Sequence, residues 1–146
     1  MYFCGAFTLK AVFKFELLFD TMEKLEDLFE KTRVYILTLS KKTCLSSFYI
    51  GKADDINERR IKHQKEGYQE TVEIAHSDRP ENIDGAERYL IEKIRQEKMP
   101  VILENINNGG GGNPKANKLY VSLHFDMKNI DELGDDDILQ FNSIKM

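Results

Sequence analysis

The chain has 146 residues and 41% apolar content, the size and composition of one compact domain. Its 21 Lys and Arg against 25 Asp and Glu leave a net charge of -4, which excludes holding a polyanion by bulk positive field and makes any nucleic-acid contact local. Two cysteines, Cys4 and Cys44, lie without Cys-x-x-Cys or histidine spacing, which excludes a zinc site or a disulfide framework and points to a reducing, intracellular (cytoplasmic) setting.

The segment 1–19 is apolar and aromatic but broken by Lys10, Lys14 and Glu16, so it reads as neither signal peptide nor membrane span. Thr21 is placed to cap a helix with Met22, Leu25, Leu28 and Phe29 on one face. A start at Met22 would make residues 1–21 an extension outside the core. Residues 33–40 (Arg-Val-Tyr-Ile-Leu-Thr-Leu-Ser) and 47–51 (Ser-Phe-Tyr-Ile-Gly) are β-branched and aromatic, and predict two strands of a hairpin around the polar loop 41–46. Asp55, with Glu58 three residues on, predicts a capped helix that stops at Gly67. Residues 71–76 alternate as a third strand, and 78–84 with Pro80 read as a loop. A second helix is predicted from Gly85 or Ala86 to just before Pro100. Asn107 to Pro114, with four consecutive glycines, reads as a loop, and 119–125 as one more strand. The acidic remainder, 126–146, is expected to form a mobile tail or a short closing helix.

Charge follows this division. Residues 33–63 hold seven Lys and Arg against three Asp and Glu, whereas 126–146 hold two against six. On the helix after Gly51, Arg59 and His63 are four apart and project from one face, beside which Ile56 is the only apolar residue. A helix face that polar suits an anionic ligand, and an arginine fork matches a phosphate in a way lysine does not. Glu87 falls on the apolar face of the next helix, between Ile91 and Ile94 on a 3.6-residue wheel. A carboxylate there needs a partner such as a hard cation. Alternatively it closes a capping box with Asp84 as the N-cap.

Tyr49-Ile50-Gly51, an arginine ten positions after that tyrosine (Arg59), a histidine four further on (His63), a glutamate in a downstream helix (Glu87) and Asn105 before a glycine-rich run together resemble the GIY-YIG endonucleases. The similarity spans residues 33–113. Arg33-Val34-Tyr35 stands in place of the family's Gly-Ile-Tyr, and Ala53 stands where the family has threonine or serine. The resemblance implies an α+β domain over 22–125, with a central antiparallel sheet of three strands, the C-terminal strand a fourth, flanked by helices. It also implies hydrolysis of DNA phosphodiesters with one Mg²⁺ or Mn²⁺. In that scheme Tyr35, aided by Tyr49, orients or deprotonates the attacking water, Arg59 holds the scissile phosphate, and His63 assists. Glu87 holds the metal, while Gly51, Lys52 and Asn105 contact substrate. Sequence preference would be weak, structural, or borrowed from a partner protein or recognition subunit. A second reading keeps the fold and uses it, without catalysis, as a nucleic-acid-binding or protein-interaction module, with the acidic tail recruiting a basic partner.

Overall fold

Residues 33–40 are helical, and this is the main departure from the expected hairpin. The computed structural model describes residues 9–107, 109, 112–126 and 140–146, and side chains from residue 20 onward. Helix α1 (Leu9–Lys42) is one continuous element. Its buried positions are Leu28, Phe29, Thr32, Tyr35, Ile36 and Leu39, so the three-and-four spacing begun at Leu25 runs on through the segment read as a strand. Val34 and Ile36, which would share a strand face, have opposite fates: Val34 is 48% exposed and Ile36 fully buried. No glycine or proline interrupts residues 21–42, and the local preference of Val34, Tyr35 and Ile36 for strand yields to burial of the helix face. Thr21 therefore lies inside α1 rather than capping it, and the division between residues 21 and 22 falls mid-helix.

Beyond α1 the sequence signals hold better. Strand β1 (Leu45–Ala53) carries the Tyr-Ile-Gly triplet. Helix α2 (Ile56–Lys65) is capped by Asp55, whose carboxylate accepts from the amides of Asn57 and Glu58 at 2.9 and 3.3 Å. Gly67, at φ +103°, follows its C-cap. Strand β2 (Glu70–His76) lies where expected, but α3 (Pro80–Gln96) starts five residues early. Pro80 opens that helix instead of ending a loop, because the first helical turn has no use for the amide that proline lacks.

The remaining strands are β3 (Ile102–Leu103), β4 (Lys118–Phe125) and β5 (Ile144–Lys145). They complete a five-stranded sheet of order β3-β1-β4-β2-β5. The three middle strands are antiparallel, while β3 and β5 pair in parallel at the two edges. The class is α+β as expected, but the sheet is mixed, and its central strand is β4. Helices α1 and α3 pack on one another: Lys93 lies 3.6 Å from Glu26 and over the rings of Phe29 and Tyr89. The core between them and the sheet holds Ile36, Leu39, Phe48, Ile50, Leu90 and Ile91.

The last residues are not a free tail. Phe141 meets Tyr35 edge-on at 5.3 Å, and the Met146 amide donates to the His76 carbonyl at 2.7 Å. Most of the acidic stretch, 127–139, lies outside the described residues. Among those described, no helix is long and apolar enough to cross a membrane.

Candidate functional site

β1, α2, α3 and the glycine-rich loop surround a cleft of about 530 Å³. Of the side chains singled out by sequence, Tyr49, Gly51, Lys52, Arg59, His63, Glu87 and Asn105 all line it. Tyr35 does not. It sits in α1 against Phe141, where burial and, second, the charge of Glu70 push its phenol up to about 12. The strand that pairs along Tyr49-Ile50-Gly51 is β4, which places another tyrosine there: Gly51 pairs with Tyr120 and Tyr49 with Ser122.

Tyr120 is almost fully buried, and its hydroxyl lies 2.8 Å from His63 Nε2. The rings of Tyr49, Tyr68 and Tyr120 stand 5.4, 5.4 and 5.5 Å from the His63 ring. This packing explains the glycine of the triplet. A Cβ at Gly51 would lie 2.4 Å from the Tyr120 hydroxyl oxygen and 2.5 Å from the carbon bearing it. Gly51→Ala is therefore expected to push Tyr120 off His63 and to cost about 1–3 kcal/mol in denaturant unfolding. Unchanged stability would contradict the close approach.

Arg59 and Arg60 are adjacent but differently engaged. Arg60 donates to Asn57 Oδ1 and to the Thr71 carbonyl and lies 3.4 Å from Glu70. Arg59 faces the cleft and forms no ion pair among the described residues. Lys62, one turn on, joins it at the rim.

Lys52 has a different use from the one expected. Its ammonium is buried and donates to Asp84 on α3 at 2.7 Å, so it ties β1 to α3. Asp84 lies within α3, not at its start, and also holds Arg88 at 3.2 Å. The hydrogen bond from Lys52 comes first among the causes that hold Asp84 below the usual carboxylate range. A depressed carboxyl pKa stabilises the fold above the unfolded value of about 3.9, and that stability is lost as pH falls through the lower folded value. Asp84→Asn should therefore cost about 1–2 kcal/mol at pH 7, and the gap from wild type should close as unfolding is measured toward pH 2.

Asn105 is likewise a brace. Its side-chain oxygen accepts from the Ile50 amide at 2.8 Å and its nitrogen donates to the Ile50 carbonyl at 2.7 Å, which extends the sheet by one side-chain rung. Arg95 donates to the carbonyls of Asn105 and Asn107 and holds the start of the glycine-rich loop from α3.

Glu87 is buried on the apolar face of α3, as the helical wheel implies. With the helix starting at Pro80, it is too far along to close a capping box. Gly109, at φ +90°, crosses over it, and a Cβ there would lie 2.8 Å from the carboxylate oxygen. Among the described residues no three His, Cys, Asp or Glu converge as a metal site. Glu87 is the buried carboxylate of this cleft that a cation would use, and Mg²⁺ commonly takes one or two protein carboxylates and keeps several waters.

The cleft carries both signs of charge: Arg59 and Lys62 line it with Glu66, Glu87 and Glu104, while the ammonium of Lys52 is already paired with Asp84. Burial first and Glu87 second hold the Tyr49 phenol above its usual range, with Arg59 acting the other way. Burial also raises Tyr120, followed by the effect of Tyr49. Both phenols are therefore proton donors at neutral pH. Sequence reading missed Tyr120, Tyr68, Lys62 and Glu66. A lone tyrosine in β4 carried no mark of its partner strand about seventy residues earlier.

No family model matches the chain, and no curated protein or solved structure matches it significantly.

Proposed function

We propose that the chain is a metal-assisted endonuclease of the GIY-YIG type that hydrolyses phosphodiester bonds in DNA. The observation that carries this reading is the convergence of Tyr49, Arg59, His63 and Glu87, from three different elements, on one cleft in which a second strand tyrosine, Tyr120, touches His63. In this reading Tyr120, not Tyr35, is the partner of Tyr49. The strand bearing it follows the Tyr-Ile-Gly strand in sequence instead of preceding it.

Arg59 clamps the scissile phosphate through its planar donor fork. Tyr49 and Tyr120 orient the attacking water, and His63 Nε2 accepts a hydrogen bond from the Tyr120 hydroxyl. A divalent cation held by Glu87 would supply charge to the leaving oxygen and offset the carboxylates that otherwise cancel the cleft's cations. The first motif segment is helical here and its Tyr35 lies off the cleft, and so do the two substituted motif positions. Arg33 is on α1, paired with Glu30, and Ala53 is buried in the core.

The test is supercoiled plasmid incubated with the protein in Mg²⁺, in Mn²⁺ and in excess chelator, beside Glu87→Gln. Nicked or linear product that needs the metal and falls about a hundredfold in the variant is expected. Folded wild-type protein that leaves DNA intact, but shifts its mobility in a gel, would favour the binding module instead.

A further inference from the structure

We propose that Glu66 is a positioning residue that holds His63 as its Nδ1–H tautomer and so makes His63 Nε2 the acceptor of Tyr120's phenolic proton. The inference rests on reading the cleft as a hydrolytic site, and assigns that site a Tyr120–His63–Glu66 relay.

The geometry is local and over-determined. Glu66 is the C-cap of α2, and its amide donates to the His63 carbonyl at 3.0 Å. That places its side chain one turn beyond His63, with Oε2 at 3.1 Å from Nδ1. An ionised carboxylate only accepts, so Nδ1 must carry the hydrogen of this bond. A neutral imidazole has one N–H, which leaves Nε2 bare. The 2.8 Å contact with Tyr120 then runs from phenol O–H to nitrogen. Only 5% of His63 is exposed, three tyrosine rings pack around it, and its two hydrogen bonds set which nitrogen faces Tyr120. Of the two other tyrosines beside the ring, Tyr68 donates to Glu104.

In hydrolysis the relay balances as follows. As the water oxygen forms its bond to phosphorus, its proton passes to Tyr120 Oη while the Tyr120 proton passes to His63 Nε2. The phosphorus–oxygen ester bond breaks, and the leaving oxygen takes a proton from solvent. The imidazolium, held against the Glu66 carboxylate, then returns its proton to solvent. The same logic orients the histidine of other hydrogen-bonded acid–base relays. Here the orienting carboxylate lies on the histidine's own helix.

Full-length protein carrying ¹⁵N-histidine, studied by long-range proton–nitrogen correlation at pH 8 with His63→Gln for assignment, tests the proposal. Wild type should show the Nδ1–H pattern for His63. Glu66→Ala should move it to Nε2–H or a mixture, and Glu66→Gln, whose amide oxygen still accepts, should keep it. Plasmid nicking should fall about tenfold or more in Glu66→Ala at unchanged DNA concentration dependence, and recover in Glu66→Gln. A wild-type His63 that is Nε2–H or doubly protonated, or a Glu66→Ala protein that keeps Nδ1–H, overturns the proposal. An inactive wild type that still shows the tautomer and its loss in Glu66→Ala sinks the hydrolytic reading and leaves the positioning role standing.

Discussion

Arg59→Ala should slow plasmid cleavage by about a hundredfold or more under single-turnover conditions, while leaving the unfolding midpoint close to wild type. The reason is that Arg59 is turned into the cleft with no carboxylate partner among the described residues, so its removal takes a donor from substrate and little from the fold. Arg59→Lys should recover only a small part of the rate, since a point charge cannot offer two parallel hydrogen bonds to a phosphate. Arg60→Ala is the matched control. That side chain bridges α2 to β2 through the Thr71 carbonyl and Glu70. Its loss should lower stability by about 1 kcal/mol and leave the rate of folded protein within a few-fold. Equal effects of the two substitutions on rate would remove the phosphate-clamp assignment.

The second large effect separates the two tyrosines. Tyr120→Phe should reduce cleavage by about a hundredfold and destabilise by about 1–2 kcal/mol, because the buried His63 Nε2 loses its partner. Tyr35→Phe should leave the rate of cleavage unchanged. Tyr35 is on α1, does not line the cleft, and packs against Phe141. The pair of rates, measured on protein shown to be folded by its amide spectrum, decides whether β4 supplies the working tyrosine. A loss confined to Tyr35→Phe would return that role to α1 and contradict the cleft described above.

Much of the site was legible because its spacing is local. Arg59 and His63 share a face of α2 through helical periodicity alone. Glu87 was marked by its place among Ala86, Leu90 and Ile91, and Asp55 and Gly67 bound α2 by capping chemistry that needs no distant partner. The strand at 33–40 was misread because Val34, Tyr35 and Ile36 favour strands locally. The evidence against it, the unbroken burial register from Leu28 to Leu39, spans more residues than the run itself.

The sequence by itself determined the elements of β1, α2 and β2, the buried carboxylate and the basic residues that face a common space. Only the tertiary structure decided which strand lies beside Tyr49-Ile50-Gly51, that Lys52 and Asn105 act as braces, and that Tyr120 meets His63. Strand pairing depends on which apolar faces can be buried together across the whole chain. With residues 33–40 part of α1, the strand that pairs antiparallel with β1 in the middle of the sheet is β4, and it brings Tyr120 into the cleft.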